Sequence, residues 1–133
     1  MRTSQLDLEM SRQRVADITE AVAAFVRWSE DGLLSVFAPH ATAGIAVIET
    51  GAGSEEDLIE ALARLLPRDD RYRHRHGSAG HGADHLLPAI LSPSLTVPVQ
   101  GGRMLLGPWQ RIVVVSLNRD NPQRRVRLSL LEA

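Results

Sequence analysis

The segment Ile112–Leu117 constrains the fold more than any other stretch, because it runs almost without a polar residue. A strand with one face in water alternates apolar and polar residues, whereas a nearly continuous apolar run is typical of a strand buried on both sides. We therefore expect this strand to be covered on both faces. The segment Val126–Leu130 alternates apolar with polar residues instead, which indicates a final, half-buried strand.

Five further segments have strand patterns, and together with the first two they give about seven strands. They are 3–10, 33–37, 43–48, 95–99 and 103–106. Apolar residues at helical spacing predict one helix from Val15 to about Trp28 and another from about Ser54 to Pro67. A short third helix is expected over His85–Leu91. The mixed order of elements favours an α+β fold, and the length of 133 residues favours a single domain.

The composition excludes two kinds of catalytic site. The chain has no cysteine, so a thiolate nucleophile, a disulfide and a cysteine-bound zinc are all impossible. All 15 basic residues are arginine, so Schiff-base chemistry and a lysine general base are excluded as well. Any cationic contact to a phosphate must therefore come from arginine, a backbone amide, histidine or a metal ion.

Charge and hydropathy do not favour a nucleic-acid or membrane partner. The formal net charge is −1, without a strongly basic or acidic balance. No apolar run approaches about 20 residues, and the N-terminus lacks the apolar core of a signal peptide. We therefore expect a cytoplasmic protein with no membrane segment and no nucleic-acid partner.

Histidine is confined to two places in the chain. Four of the five histidines lie in one glycine-containing stretch without an apolar period, and such long segments are usually functional or disordered. Without cysteine, a metal site must use imidazole and carboxylate, and three histidines with one open position are typical of catalytic zinc. We expect His40, His74 and His85 to converge on one metal ion or one anionic ligand. His76 and His81 either join that site or face solvent.

The segment after His40 adds further candidates for a site. Thr42 offers a hydroxyl, and Gly44 allows the backbone to approach a ligand closely. Glu49 ends an apolar strand, where it is either a partner that fixes a histidine tautomer or a solvated strand end.

Two features of the C-terminal half also bear on ligands. The arginines at 124, 125 and 127 either bind phosphate or an RNA backbone, or lie solvated on an edge strand. Trp109 follows Gly107-Pro108 and precedes a buried strand, which favours a position in the core over a platform for a ligand.

Motifs spread along nearly the whole chain share their spacing with one family of small proteins. They are HATAGIAVIE at 40–49, Tyr72-x-His74, His85-Leu86, Pro93-Ser94-Leu95-x-x-Pro98-Val99, the glycine turn at 101–102, and Leu106-Gly107-x-Trp109-Gln110. In this combination the sequence resembles the YjbQ-like family, also called the secondary thiamine-phosphate synthase family.

The resemblance implies an α+β fold of two packed, mainly antiparallel β-sheets with two or three helices, assembled as a homotrimer with sites near the subunit boundaries. It implies a divalent metal, with zinc as the first candidate, on His40, His74 and His85, and catalytic roles for His40, His85 and Glu49. The implied reaction joins a hydroxymethylpyrimidine pyrophosphate to a thiazole phosphate and releases pyrophosphate. The substrate-binding candidates are Thr42, Gly44, Trp109, Gln110 and Arg124.

Two departures from the family pattern leave the function open. His81 stands where an acid or amide is usual, and Ser116 stands where an acid is usual. Either His81 substitutes as a ligand, or the reaction has been lost or changed. The hypotheses are therefore a metal-assisted transferase and a non-catalytic trimeric protein that binds a metal or a phosphorylated metabolite. RNA binding is a third hypothesis, disfavoured by the net charge and by the expected burial of Trp109.

Overall fold

Eight strands and three helices make up the computed structural model, which describes residues 1–133. In chain order they are β1 (Arg2–Glu9), β2 (Val15–Asp17), α1 (Thr19–Val26), β3 (Gly32–Phe37), β4 (Ala43–Ile48), α2 (Ser54–Leu65), α3 (His81–Ile90), β5 (Ser94–Gln100), β6 (Arg103–Met104), β7 (Arg111–Ser116) and β8 (Gln123–Glu132). The α+β class with antiparallel sheets and three helices is confirmed.

The two sheets form successive layers of the fold. The larger sheet has the order β1-β8-β3-β5-β6, and the smaller has the order β2-β7-β4. Every strand pair is antiparallel. The main core lies between the sheets and includes residues of α1, and a second core lies between the smaller sheet and helices α2 and α3. The smaller sheet is therefore the middle layer.

Strand β7 is covered on both faces, as its apolar run predicted. Ile112 and Val114 point into the main core, while Val113 and Val115 point into the second core. All four are fully buried, and full burial of such a side chain contributes about 1.5–3 kcal/mol. Because β7 also pairs with β2 on one edge and β4 on the other, it fixes the middle layer.

The predicted helix from Val15 to Trp28 is wrong at its beginning. Residues Val15–Asp17 form β2 and pair with Val113–Val115 of β7, so pairing with the central strand overrides the helical spacing. The helix begins at Thr19, where Oδ1 of Asp17 accepts hydrogen bonds from the Thr19 amide at 2.9 Å and its hydroxyl at 2.6 Å. Asp17 thus satisfies an N–H group of the first helical turn.

The third helix is longer than predicted, because α3 begins at His81 instead of His85. It contains Pro88, and its 10 residues make it intermediate between α1 with 8 and α2 with 12. None of the three helices has both the length and the apolar character needed to cross a lipid bilayer.

Gly44 is a point of close packing between β4 and the end of α3. A Cβ built at Gly44 would lie 2.6 Å from both Cβ and the carbonyl oxygen of Leu91. The amide of the next residue, Ile45, donates to the carbonyl of Ser92 at 2.8 Å, which holds the two segments together. The glycine is therefore required by the packing of the chain against itself.

We expect Gly44→Ala to lower the free energy of unfolding by about 1–3 kcal/mol, because the added methyl group must displace backbone. Gly107→Ala is the matched control. There the added Cβ would meet the Gln110 side chain at 3.3 Å and no backbone, so the expected loss of stability is smaller than for Gly44→Ala. Urea unfolding of both variants measures the difference, and equal midpoints would contradict the packing role of Gly44.

Candidate metal centre

Four histidines converge at the N-terminal end of α3. His81 is the first residue of the helix, and His85 lies one turn later, so both imidazoles project from the same helical face. His74 and His76 come from the segment between α2 and α3. Their ring centroids lie 4.4 Å apart, and both rings lie within 5.0 Å of the His81 ring.

Three of these histidines bring ring nitrogens close enough to bind one ion. One nitrogen from each of His74, His81 and His85 lies within 4.8 Å of the other two. Nε2 of His81 and Nε2 of His74 are 3.1 Å apart. Two nitrogens bound to one tetrahedral zinc, each about 2.0–2.1 Å from it, would lie about 3.3 Å apart. The three imidazoles can therefore hold a divalent metal, and they would leave a fourth position open.

The histidine cluster is not satisfied by protein groups alone. Nδ1 of His81 is buried and has no hydrogen-bond partner, whereas buried polar atoms are normally paired. The facing Nε2 atoms of His74 and His81 cannot both be acceptors for each other, so without a guest one of them must carry a proton. The second observation fits a site that is completed by a ligand on the Nε2 atoms, whereas Nδ1 of His81 lies on the other side of its ring, beside Gly77.

A buried carboxylate fixes the end of α3 that carries the cluster. Asp84 is 0% exposed. Its Oδ1 accepts from Nη1 of Arg68, and its Oδ2 accepts from Nη2 of Arg68 at 3.3 Å and from Nδ2 of Asn118 at 3.0 Å. The carboxylate thus joins α3 to the segment after α2 and to the turn between β7 and β8. With these partners, Asp84 is used as an anchor and is not directed at the histidines.

The segment before α3 is packed tightly against the helix. The hydroxyl of Tyr72 donates to the carbonyl of Pro67 at 2.7 Å. A Cβ at Gly82 would lie 2.6 Å from Cβ of Tyr72 and 2.8 Å from the carbonyl oxygen of His74. Because Gly82 has no side chain, the segment that carries His74 can lie directly on the first turn of α3.

Burial and neighbouring charges lower the pKa values of two histidines. Burial lowers the pKa of His85 below its ordinary value of 6.5, and the nearby imidazoles of His81, His74 and His76 lower it further, against an opposing effect of Asp84. Burial also lowers the pKa of His40, with further contributions from the charges of Arg124 and His85. Both imidazoles are therefore biased toward the neutral form, which is the form that binds metals.

His40 stands outside the group of three, although the charge of His85 acts on it. Its Nδ1 atom lies 3.1 Å from the backbone nitrogen of Thr42 and 3.0 Å from the Thr42 hydroxyl oxygen. The His40 ring is half-buried. The predicted ligand set of His40, His74 and His85 thus contains two members of the observed group, and His81 takes the third place.

Arg124 is a buried cation whose donors are all used inside the protein. The side chain is 1% exposed. Its Nε–H donates to Ser116 Oγ at 3.0 Å, and one Nη2–H donates to Thr42 Oγ1 at 3.3 Å. The remaining N–H groups donate to the carbonyls of Asn118, Asn121 and Gln123. Because arginine has five N–H donors, direct contact with a phosphate would require it to break one of these bonds.

Three other predicted site residues lie at the opposite end of the middle sheet. Thr42 precedes β4, and Glu49 follows it; six residues at about 3.3 Å each place them about 20 Å apart. Ile48 pairs with Arg111, so Trp109 and Gln110 lie at the Glu49 end. Within one chain, the structure therefore does not bring Glu49, Trp109 or Gln110 to the histidines.

The expected burial of Trp109 is wrong, because its side chain is 71% exposed. The turn that carries it is closed without the indole: the Gly107 amide donates to Gln110 Oε1 at 2.7 Å, and the Gln110 amide donates to the Gly107 carbonyl at 3.1 Å. The argument against RNA binding that relied on a buried Trp109 does not hold. The net charge of −1 still disfavours it.

The sequence interpretation missed the anchoring role of Asp84 and left His81 undecided. The signal for His81 was its spacing of four residues before His85, which places both imidazoles on one face once the helix begins at His81. No local signal pairs Asp84 with Arg68 and Asn118, because these partners come from different elements.

Metal-free protein is expected to lose stability as the pH falls below about 6.5. The pKa values of His40 and His85 are lowered in the folded chain and return to about 6.5 on unfolding. Just below that pH the unfolded chain binds more protons, so the free energy of unfolding decreases with falling pH. Urea midpoints in EDTA between about pH 7.5 and 5.5 measure this, and His85→Gln should flatten the dependence. An unchanged midpoint across the range would contradict the lowered pKa values.

Sequence comparison connects this arrangement to known proteins. The model of the family described as UPF0047 protein YjbQ-like matches residues 4–133. The chain is similar to a UPF0047 protein of Mycobacterium tuberculosis, with 65% identity over 132 residues and 99% of each chain covered. It is also similar to a UPF0047 protein of Archaeoglobus fulgidus, with 36% identity over 114 residues that cover 86% of this chain and 87% of that one.

Solved structures have the same fold. A protein of Aeropyrum pernix superposes with a TM-score of 0.90, with 33% identity and full coverage of both chains. A YjbQ-like protein of unknown function from Sulfolobus solfataricus superposes with a TM-score of 0.91 over 99% of this chain and 97% of that one, and its 24% identity supports the fold alone. Because the family model spans nearly the whole sequence and the mycobacterial relative matches 99% of it, this chain belongs to the UPF0047 family of YjbQ-like proteins.

Proposed function

We propose that the protein is a divalent-metal-dependent transferase of the thiamine-phosphate-synthase type, with His74, His81 and His85 as metal ligands and zinc as the first candidate ion. The proposal is carried by one observation, the approach of three ring nitrogens within 4.8 Å. Imidazole nitrogens are preferred zinc ligands, and three of them with an open fourth position are typical of catalytic sites. The family resemblance supplies the reaction.

The proposed reaction forms one carbon–nitrogen bond and breaks one carbon–oxygen bond. The ring nitrogen of a thiazole phosphate attacks the methylene carbon of a hydroxymethylpyrimidine pyrophosphate, and pyrophosphate leaves with the bonding electrons. A bound divalent ion would supply positive charge to the oxygens of the leaving group. The protein itself contributes orientation and charge: the buried guanidinium of Arg124 has no carboxylate among its hydrogen-bond partners. Its field therefore favours an anion nearby.

A non-catalytic metal- or phosphometabolite-binding protein is the second candidate function. The observation that favours it is that the two buried charged groups, Asp84 and Arg124, already use their hydrogen-bonding atoms within the chain. Asp84 is paired with Arg68 and Asn118, and every N–H of Arg124 is bonded within the chain. Neither group is free to transfer a proton or to follow a leaving phosphate. A binding protein requires neither action.

The test begins with the metal. Purified protein reconstituted with zinc and dialysed should retain about one ion per chain, and zinc should raise the melting temperature by mass action. His81→Ala should abolish both effects. Ser78→Ala is the matched control from the same segment, because the hydroxyl that it removes donates only to Asp120, at 2.8 Å, and the backbone bond from the His81 amide to the residue 78 carbonyl is kept. This variant should bind zinc like the parent. Zinc retention by His81→Ala would contradict the proposed ligand set.

The second step measures pyrophosphate release from the two substrates by the zinc-loaded protein. Turnover that His85→Ala lowers at least about tenfold supports the transferase. Zinc binding without turnover above the His85→Ala background selects the binding protein instead.

We also propose a homotrimer, supported by an apolar patch on the outer face of the larger sheet. Leu33 and Leu131 are opposite each other in β3 and β8 and are 52% and 60% exposed, and Leu33 also faces Pro98 of β5. Contiguous exposed apolar residues commonly mark interfaces between proteins.

Light scattering after gel filtration should give about three times the chain mass of 14.6 kDa. Leu33→Glu should shift the mass toward the monomer, because burial of an unpaired charge opposes association. Leu65→Glu is the matched control, since Leu65 is 64% exposed on α2, away from the patch, and should leave the mass unchanged. A monomeric mass for the parent chain would rule out the trimer.

A further inference from the structure

The hydrogen bonds of His40 specify which of its ring nitrogens carries the proton. The backbone N–H of Thr42 points at Nδ1 of His40 at 3.1 Å. A backbone N–H can only donate, so Nδ1 must be the acceptor and must be unprotonated. This excludes both the doubly protonated ring and the Nδ1–H tautomer as long as the contact is made.

The Thr42 hydroxyl is compatible with this assignment and can add a second donor to Nδ1. Its oxygen receives an N–H from Arg124 at 3.3 Å and lies 3.0 Å from Nδ1 of His40. Arginine has no acceptor, so the hydroxyl accepts from Arg124 and is free to donate its own proton to Nδ1. The guanidinium cannot turn away easily, because its other N–H groups are held by Ser116 Oγ and by three backbone carbonyls.

The opposite ring nitrogen, Nε2, is then the one left available to a ligand. With Nδ1 unprotonated, a neutral imidazole carries its proton on Nε2, and no group of the chain forms a hydrogen bond with His40 Nε2. A metal-bound nitrogen must offer a lone pair, and a ligating histidine normally donates its other ring N–H to an acceptor. His40 has the reverse arrangement, since its inner nitrogen receives two donors.

We propose that His40 is a neutral hydrogen-bond donor, which presents Nε2–H to an oxygen of a phosphate or pyrophosphate group bound beside the histidine cluster, and is not a metal ligand. Thr42 and Arg124 are positioning residues that set its tautomer. The ligand class rests on the proposed function, whereas the tautomer is a property of the free protein.

A neutral donor suits this location. His40 stands close enough to Arg124 and His85 for their charges to act on it, so a second full positive charge there would be opposed. An N–H aimed at an anionic oxygen still stabilises charge that develops on a leaving group, and preorganised donors of this kind are major contributors to catalysis. The arrangement supplies such a donor without adding a cation.

Nitrogen-15 NMR of the histidine rings tests the tautomer directly. In the parent protein, at a pH of about 7.5, His40 should show an unprotonated Nδ1 and a protonated Nε2, both without metal and after addition of zinc. The ring nitrogens of His74, His81 and His85 should shift on zinc addition. Thr42→Val keeps the side-chain shape and the backbone N–H but removes the hydroxyl, so the preference of His40 for the Nε2–H tautomer should weaken while this tautomer remains the major form. Loss of the His40 Nε2 proton on zinc addition would overturn the proposal.

Variants of His40 show whether this residue acts as a hydrogen-bond donor or as a metal ligand. His40→Ala should retain the zinc stoichiometry of the parent but bind inorganic pyrophosphate about tenfold more weakly, as expected for the loss of one hydrogen bond to a charged group. His40→Gln, whose amide can donate from nearly the same place, should recover most of that affinity. His85→Ala is the comparison that loses zinc.

The outcomes distinguish this inference from the proposed function. If His40→Ala loses zinc as His85→Ala does, then His40 is a ligand and the inference is wrong, while the metal-dependent function stands. If the parent binds no zinc, the proposed function fails, and the tautomer is still decided by the NMR measurement. If His40→Ala binds pyrophosphate as tightly as the parent, the donor role is overturned.

Discussion

The buried carboxylate of Asp84 is the interaction on which the site depends. It receives Arg68 from the segment after α2 and Asn118 from the turn after β7, so three separate parts of the chain meet at one fully buried group. A buried ion pair adds little stability compared with apolar packing, but removal of one partner is strongly destabilising. It ties the first turn of α3, and with it His81 and His85, to the segment after α2 and to the turn after β7.

A second buried charge organises the opposite side of the site. The five N–H groups of Arg124 donate to acceptors in β7, in the segment 118–123 and in Thr42, which precedes β4. Arg124 would therefore act on an anion bound as proposed through its field and through Thr42 more than by contact. The resemblance to the family implied that Arg124 binds phosphate directly. Its hydrogen bonds indicate that such a role would be mainly electrostatic.

Sequence patterns predicted the strands well because burial leaves a direct record in them. The apolar run of β7 correctly predicted a strand covered on both faces, and the alternation in β8 correctly predicted a strand covered on one face. The pattern failed at Val15, where pairing with β7 decides the structure, and at Trp109, whose exposure depends on a turn closed by Gln110. The site was half predicted, since histidines cluster visibly in sequence. His81 joins the group of three because it lies four residues before His85 on the same helical face, and the local pattern did not show that the helix begins at His81.

The three histidines nearest one another lie within a short span of sequence, from His74 to His85. Closing such a short loop in a disordered chain costs little entropy, so the denatured ensemble would also chelate metal. Chelation by the unfolded state subtracts from the stabilisation that binding to the native state provides. If the cluster binds a metal as proposed, the same locality would let the chain bind it before the sheets have paired.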